Sequence, residues 1–212
     1  MGLGKMSRQI SPRYLLVELI LLFVIFPLLY FFDLIPFHKV LPLIVLFVYC
    51  VMILVRHPHA NPDRFKTKAN WRLILLRFIG ISILILVWIK IFSPNPLFAD
   101  FNANKKLLLM TIIYPFSSAF PQELIFREFF FYRYKPIFQN EIVLIGMNVI
   151  LFAFAHIYFA NWTILIFTLI GGTIFALTYL KTKSLLVVTI EHTLFGMLIL
   201  SSGLSEQFYK AF

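Results

Sequence analysis

Residues 107–132 read LLLMTIIYPFSSAFPQELIFREFFFY, a run apolar enough for a bilayer that nevertheless carries Gln122, Glu123 and Arg127 in its second half. A helix rising about 1.5 Å per residue needs ~20 such residues to cross the hydrocarbon core, so this run is long enough. An ionised side chain at mid-membrane costs about 3 kcal/mol on insertion scales, so such groups need partners and usually mark a task. Glu123 and Arg127 stand four apart with the acid first, which puts them on one helix face where each neutralises the other. Pro121 just ahead frees backbone polar groups for a polar site, and predicts either a kinked, tilted helix or a helix followed by an interfacial piece.

Further apolar runs lie outward from this one, near Tyr14 to Phe32, Val40 to Val55, Leu73 to Phe92, Ile142 to Phe159, Thr163 to Leu180 and Leu185 to Leu200. The 212 residues are 61% hydrophobic and 13% charged, and the mean hydropathy is +0.90. This composition predicts an all-α, polytopic transmembrane bundle of about seven or eight helices, with residues 1–212 as a single membrane domain. The formal charge of +10 belongs to loops bordering apolar runs, which argues for membrane orientation and against a nucleic-acid partner. With the N-terminus inside, Lys5, Arg8, Arg13, Arg56, Arg64, Lys66, Lys68, Arg72, Arg77, Arg127, Arg133, Lys135, Lys181 and Lys183 fall on or towards the cytoplasmic side. Lys39, Lys90, Lys105, Lys106 and Lys210 fall on the other. The expected protein is thus a multi-pass component of the cell (inner or plasma) membrane, with the N-terminus cytoplasmic and an odd number of spans.

Several features read as structure. The first run ends in Tyr30-Phe31-Phe32-Asp33 without a small-residue cleavage pattern, so it is expected to stay as a span. Met6 stands where a myristoylation signal after Gly2 wants Ser or Thr. Cys50 is a lone cysteine in an apolar run, which leaves packing as its role. Trp71, Trp88 and Trp162 fall near run ends, as interfacial aromatics do, and Gly172 with Ala176 offers a small face for close helix packing. His57 and His59 lie in a basic loop and read as solvated.

The candidate catalytic residues are Glu123, His156 and His192. His156 closes the stretch Phe152-Ala153-Phe154-Ala155-His156, and His192 follows Glu191 midway along the last run. Counting helical rise from the inner loops puts Glu123 roughly 18 Å deep, His156 about 22 Å and His192 about 12 Å, so all three can meet within the bundle. A carboxylate and two imidazoles in a dry cavity suit hydrolysis: the carboxylate takes a proton from water, one imidazole helps to position or share that proton, and the other donates to the developing oxyanion. The same trio is conceivable as a zinc set, but no H-E-x-x-H is present and a glutamate already paired with Arg127 is a poor ligand, so no cofactor is expected. Glu191 lies about 100° round the helix from His192 and faces a different neighbour.

Gln122-Glu123-Leu124-Ile125-Phe126-Arg127, then Phe152 to His156, then His192, resembles the three-motif pattern of the CPBP intramembrane proteases, E-E-x-x-x-R, F-x-x-x-H and H-x-x-x-N or D. The family includes the CAAX prenyl endopeptidases and bacterial Abi or bacteriocin-processing relatives. The likeness covers roughly Leu107 to Leu200, a protease-like core of about 107–200. It implies cleavage of a peptide bond near the membrane by water activated with a glutamate and a histidine, the late histidine helping to form the oxyanion hole. The implied partners are a membrane-associated peptide or protein and the lipid bilayer.

Two positions depart from the pattern: Gln122 replaces the first glutamate, and Gly196 replaces the asparagine or aspartate. Either Glu123 has become the base, or Glu123 and Arg127 form a structural pair and catalysis is lost. Asn148, two turns before His156, is a candidate for the missing amide. The alternatives to an intramembrane endopeptidase are a silent relative that binds a peptide or partner, as in bacteriocin immunity, and a small proton-coupled transporter.

Overall fold

The computed structural model describes residues 10–36, 40–56, 64–92, 109 and 112–201. Lys5, Arg8, Lys39, His57, His59, Lys105, Lys106 and Lys210 lie outside the described residues, as do Gly2, Met6 and the start of the fourth apolar run. Seven helical rods and no strand occur among the described residues. They are α1 (Pro12–Phe31), α2 (Val40–Val55), α3 (Trp71–Phe92), α4 (112–134), α5 (Glu141–Phe154), α6 (Trp162–Thr182) and α7 (Leu185–Ser201). Four stretches are long and apolar enough to cross a membrane: α1, α3, α6, and α5 with the turn that follows it.

Polar residues mark the helix ends. The side-chain oxygen of Asn140 accepts the amides of Ile142 at 2.8 Å and Val143 at 3.3 Å, and that of Asn161 accepts Ile164 N–H at 3.1 Å. These caps satisfy first-turn donors that no carbonyl of the helix reaches. Lys183, at φ 52°, ends α6, and Ser184 Oγ then accepts Val187 N–H at 3.2 Å to open α7. The carbonyl of Arg64 takes two further first-turn amides of α7, from Leu185 at 2.7 Å and Leu186 at 3.2 Å.

α4 is neither a smoothly kinked helix nor a helix with an interfacial tail. It switches to wide π-helical turns over Pro115–Ala119 and again over Leu124–Phe129. A proline cannot donate an amide, and its ring crowds the carbonyl four residues back. For Pro121 that residue is Ser117, inside the first wide stretch. Pro27 in α1 relates in the same way to Phe23 within the wide turn Leu21–Ile25. Widening the turn relieves the clash without breaking the rod. Every residue of Leu124–Phe129 is buried, which makes α4 the centre of the bundle.

The other helices pack on α4 through aromatic edges. Phe23 of α1 meets Phe126 and Phe130 with ring centroids 5.3 and 5.5 Å apart, and Tyr49 of α2 meets Phe129 at 6.1 Å. Phe152 of α5 stands edge-on to Phe126 at 5.1 Å, and Tyr179 of α6 stacks on Phe131 at 5.9 Å. α3 packs against α7, where Phe78 meets Phe195 at 5.2 Å. The small face of α6 does what its residues predict: a Cβ on Gly172 would lie 3.0 Å from the Phe152 ring, so α5 and α6 approach through the glycine. Cys50 is fully buried and free, in keeping with packing. Leu84 and Ile91 of α3 are about two-thirds exposed, and outward apolar side chains of this kind suit lipid.

Three buried ion pairs brace the rods. Glu18 of α1 holds Arg133 of α4 through both oxygens, at 3.0 and 2.7 Å, and also accepts Tyr134 O–H at 3.3 Å. Glu128 of α4 takes Arg64 at 3.3 Å and Tyr179 O–H at 2.7 Å. Glu191 of α7 pairs with Arg77 of α3, which also donates to Thr178 Oγ1 at 2.6 Å. Removing one member of such a pair strands a buried charge. Glu18→Ala is therefore expected to lower the stability of the detergent-solubilised protein by about 3–5 kcal/mol in a denaturant titration. Glu18→Leu with Arg133→Met is expected to recover most of the loss, and an equal loss in both variants contradicts the ion-pair account.

Candidate active site

The first wide turn of α4 leads into Phe120–Glu123, whose two polar residues face different directions. Glu123 is completely buried, with Oε2 accepting Arg127 Nε–H at 3.0 Å and Oε1 2.7 Å from His192 Nδ1. A carboxylate so placed only accepts, so Nδ1 of His192 carries the hydrogen and Nε2 is left as an acceptor. The phenol of Tyr114 lies 3.0 Å from that Nε2 and donates to it. Arg127 also donates through Nη1 to Asn148 Oδ1, and Asn148 Nδ2 donates to the carbonyl of Phe126. Asn148 is thereby bound to the α4 backbone, not free to serve as an amide beside His192.

Gln122 turns the other way. Its Nε2 donates to Ser118 Oγ at 2.8 Å, and Ser118 lies one helical turn from Tyr114 on the same face of α4. Polar groups of Gln122, Ser118 and Tyr114 thus follow one another towards His192 and Glu123. Gln122 Oε1 is buried with no hydrogen-bond partner.

His156 lies within the candidate span of the fifth helix, Glu141–Phe159, but past the end of its regular helix. The regular part of α5 ends at Phe154, and His156 lies in the turn that precedes a short 3-10 stretch, Ile157–Phe159. Ala160, at φ 48°, then reverses the chain towards the Asn161 cap. In this turn His156 Nδ1 donates to the Phe152 carbonyl at 2.8 Å, which leaves Nε2 as the nitrogen with a lone pair. Phe152 joins the parts: its ring centroid is 4.9 Å from that of His156 and 6.0 Å from that of His192, and the Arg127 guanidinium sits 4.8 Å above its face. Phe175 stacks on the opposite side of His192 at 4.6 Å.

A cavity of about 600 Å³ opens between α3, α6 and α7, and Gln122, His156, His192 and Gly196 all line it. A smaller one of about 160 Å³ lies towards α1 and α2, and shares Ser118, Gln122 and His156 with the first. Glu123 is absent from both linings. The sequence-derived trio therefore meets as two units, a Glu123–His192 pair in direct contact and a His156 that joins it across Phe152. Trp88, near the end of α3, lines the larger cavity with its indole nitrogen buried and unpartnered.

Within the trio, the donor atoms of Glu123 and His192 are bonded to one another and to neighbouring side chains. Among the described residues no group of three or more His, Cys, Asp or Glu is placed to hold a metal ion.

The sequence reading missed Tyr114 and Ser118. Tyr114, Ser118 and Gln122 follow one another at intervals of four, the spacing of one helix face, but a tyrosine and a serine in an apolar run read as packing. Glu191 does face a neighbour other than the site, namely Arg77.

Residues 104–198 match the family model for type II CAAX prenyl endopeptidase, Rce1-like. No curated protein and no solved structure gives a significant match to the chain.

Glu123 anchors one cation and one imidazole, so its loss should register in stability as well as in any chemistry. Glu123→Gln is expected to lower the thermal stability of the purified protein by about 3 kcal/mol, because Arg127 keeps a buried charge without its partner. A variant as stable as the parent contradicts the anchoring role.

Proposed function

We propose, taking residues 104–198 as an Rce1-like CAAX-protease region, that this membrane protein is an intramembrane endopeptidase acting on a membrane-proximal peptide. The observation that carries the reading is the wall shared by the two cavities, to which Gln122, with its unpartnered Oε1, and His156 both contribute. The larger cavity is mostly apolar, yet it offers one unpartnered acceptor, Gln122 Oε1, and one unpartnered donor, Trp88 Nε1. An extended peptide in an apolar environment needs both kinds of partner for its backbone.

In the proposed reaction His156 Nε2 takes a proton from water as the water oxygen attacks the substrate carbonyl carbon, while Gln122 Oε1 accepts the other hydrogen and holds the water in line. The oxyanion collapses, the C–N bond breaks, and the imidazolium of His156 returns its proton to the leaving amine. The products are a carboxylic acid, which keeps the second hydrogen of the water, and a free amine; the acid then gives that proton to the amine or to bulk water on release. Glu123 acts here by fixing His192 and Arg127, since both its oxygens already accept, and no metal is required. We further place the chain in the cell membrane with a cytoplasmic N-terminus, on the strength of its Lys and Arg distribution.

One observation favours a second reading, peptide binding without hydrolysis. The residue that lines the cavity together with His156 is an amide, and the carboxylate next to it in sequence points away from the cavity. Peptide cleavage by the purified protein separates the two. His156→Ala is expected to lower kcat by at least about a hundredfold, and Gln122→Glu, which places a carboxylate on the wall shared with His156, to raise it by roughly tenfold or more. Wild-type protein that binds peptides and cleaves none, together with a Gln122→Glu variant that cleaves, establishes the binding reading.

A further inference from the structure

Gly196 lies in α7 one helical turn beyond His192, and the space beside it is not empty. A Cβ built on Gly196 would overlap Cε1, Cζ and the hydroxyl oxygen of Tyr114. The end of the tyrosine ring thus occupies the volume where any side chain at position 196 would begin. That placement also brings the phenol to His192 Nε2, at 3.0 Å, on the wall of the larger cavity.

The donors on that wall are already engaged in most cases. The hydrogen on His192 Nδ1 goes to Glu123, that on His156 Nδ1 to the Phe152 carbonyl, and the Ser117 hydroxyl to the Ile113 carbonyl at 3.1 Å. Gln122 Nε2 is held by Ser118. The Trp88 N–H is unpartnered but belongs to α3, where the indole packs on Phe92 of the same helix and Phe167 of α6, with no contact to His192 or Gly196. Tyr114 differs in that rotation about one C–O bond redirects its hydrogen from a neutral imidazole to a ligand. An oxyanion accepts more strongly than that imidazole.

We propose that the Tyr114 hydroxyl is the donor that stabilises the tetrahedral oxyanion of a bound peptide, and that position 196 is glycine because the Tyr114 ring must occupy its side-chain space. The assignment rests on the endopeptidase reading for the identity of the ligand. The donor geometry can be tested without turnover.

The probes are a membrane-soluble peptide phosphinate, a stable mimic of the tetrahedral oxyanion, and the all-amide peptide of the same sequence. Wild-type protein is expected to bind the phosphinate more tightly than the amide. Tyr114→Phe keeps the ring and removes the hydroxyl, and should weaken phosphinate binding about a hundredfold while changing amide binding less than about threefold. Where turnover is present, kcat should fall by a similar factor with KM unchanged. Gly196→Ala, which expels the ring, should reproduce the loss, and Gly196→Asn combined with Tyr114→Ala should recover at least about tenfold over Tyr114→Ala alone. A Tyr114→Phe variant that binds phosphinate as the wild type does overturns the assignment, as does a wild type without phosphinate preference. A wild type that cleaves nothing, but whose phosphinate preference disappears in Tyr114→Phe, defeats the endopeptidase reading and upholds the Tyr114 assignment.

Discussion

A carboxylate with no exposure at the centre of a membrane bundle persists only if every strong acceptor site on it is answered, and Glu123 is answered by Arg127 on one oxygen and His192 on the other. The rest of the site depends on that arrangement. Arg127 reaches past Glu123 to Asn148 and so ties α4 to α5, while His192, with its Nδ1 hydrogen committed, presents Nε2 to Tyr114. Three helices are thereby set in register by one charge. Gln122 and Glu123 lie in the regular turn between the two wide ones, about 100° apart, so that Gln122 lines the cavities while Glu123 faces inward.

The consequence is a division between anchoring and reactive groups. Glu18, Glu128 and Glu191 each hold an arginine from a distant segment, Glu123 holds one from its own helix, and none of the four lines either cavity. The groups left for a ligand are weaker acids and bases: an amide oxygen, an imidazole nitrogen and a phenol. A site of this kind relies on placement and exclusion of water more than on a strong base, which suits an apolar cavity where each hydrogen bond is worth more than in water.

Much of the fold was legible from the apolar runs, because their length and composition leave few alternatives in a bilayer, and the observed helix ends agree with the runs to within a few residues. The pairing of Glu123 with Arg127 was also legible, since a four-residue interval fixes a shared face. Other features needed three dimensions. That His156 sits in a turn beyond α5, not inside it, depends on how Ala160 and Asn161 start the next helix. The partners of Glu18, Glu128 and Glu191 come from distant segments, so no local spacing announces them. Gly196 looked like a loss of function at one position; only the fold reveals that Tyr114 fills the same volume from another helix.

The central claim is that Glu123 is a fixed anion whose partner His192 is held in a single tautomer. Nitrogen NMR of protein labelled at histidine, with His192 assigned by substitution, tests it most directly. The account predicts that His192 carries a hydrogen on Nδ1, bonded to Glu123, and leaves Nε2 to accept from Tyr114. A His192 protonated on Nε2 alone, or one averaging rapidly between tautomers, contradicts it.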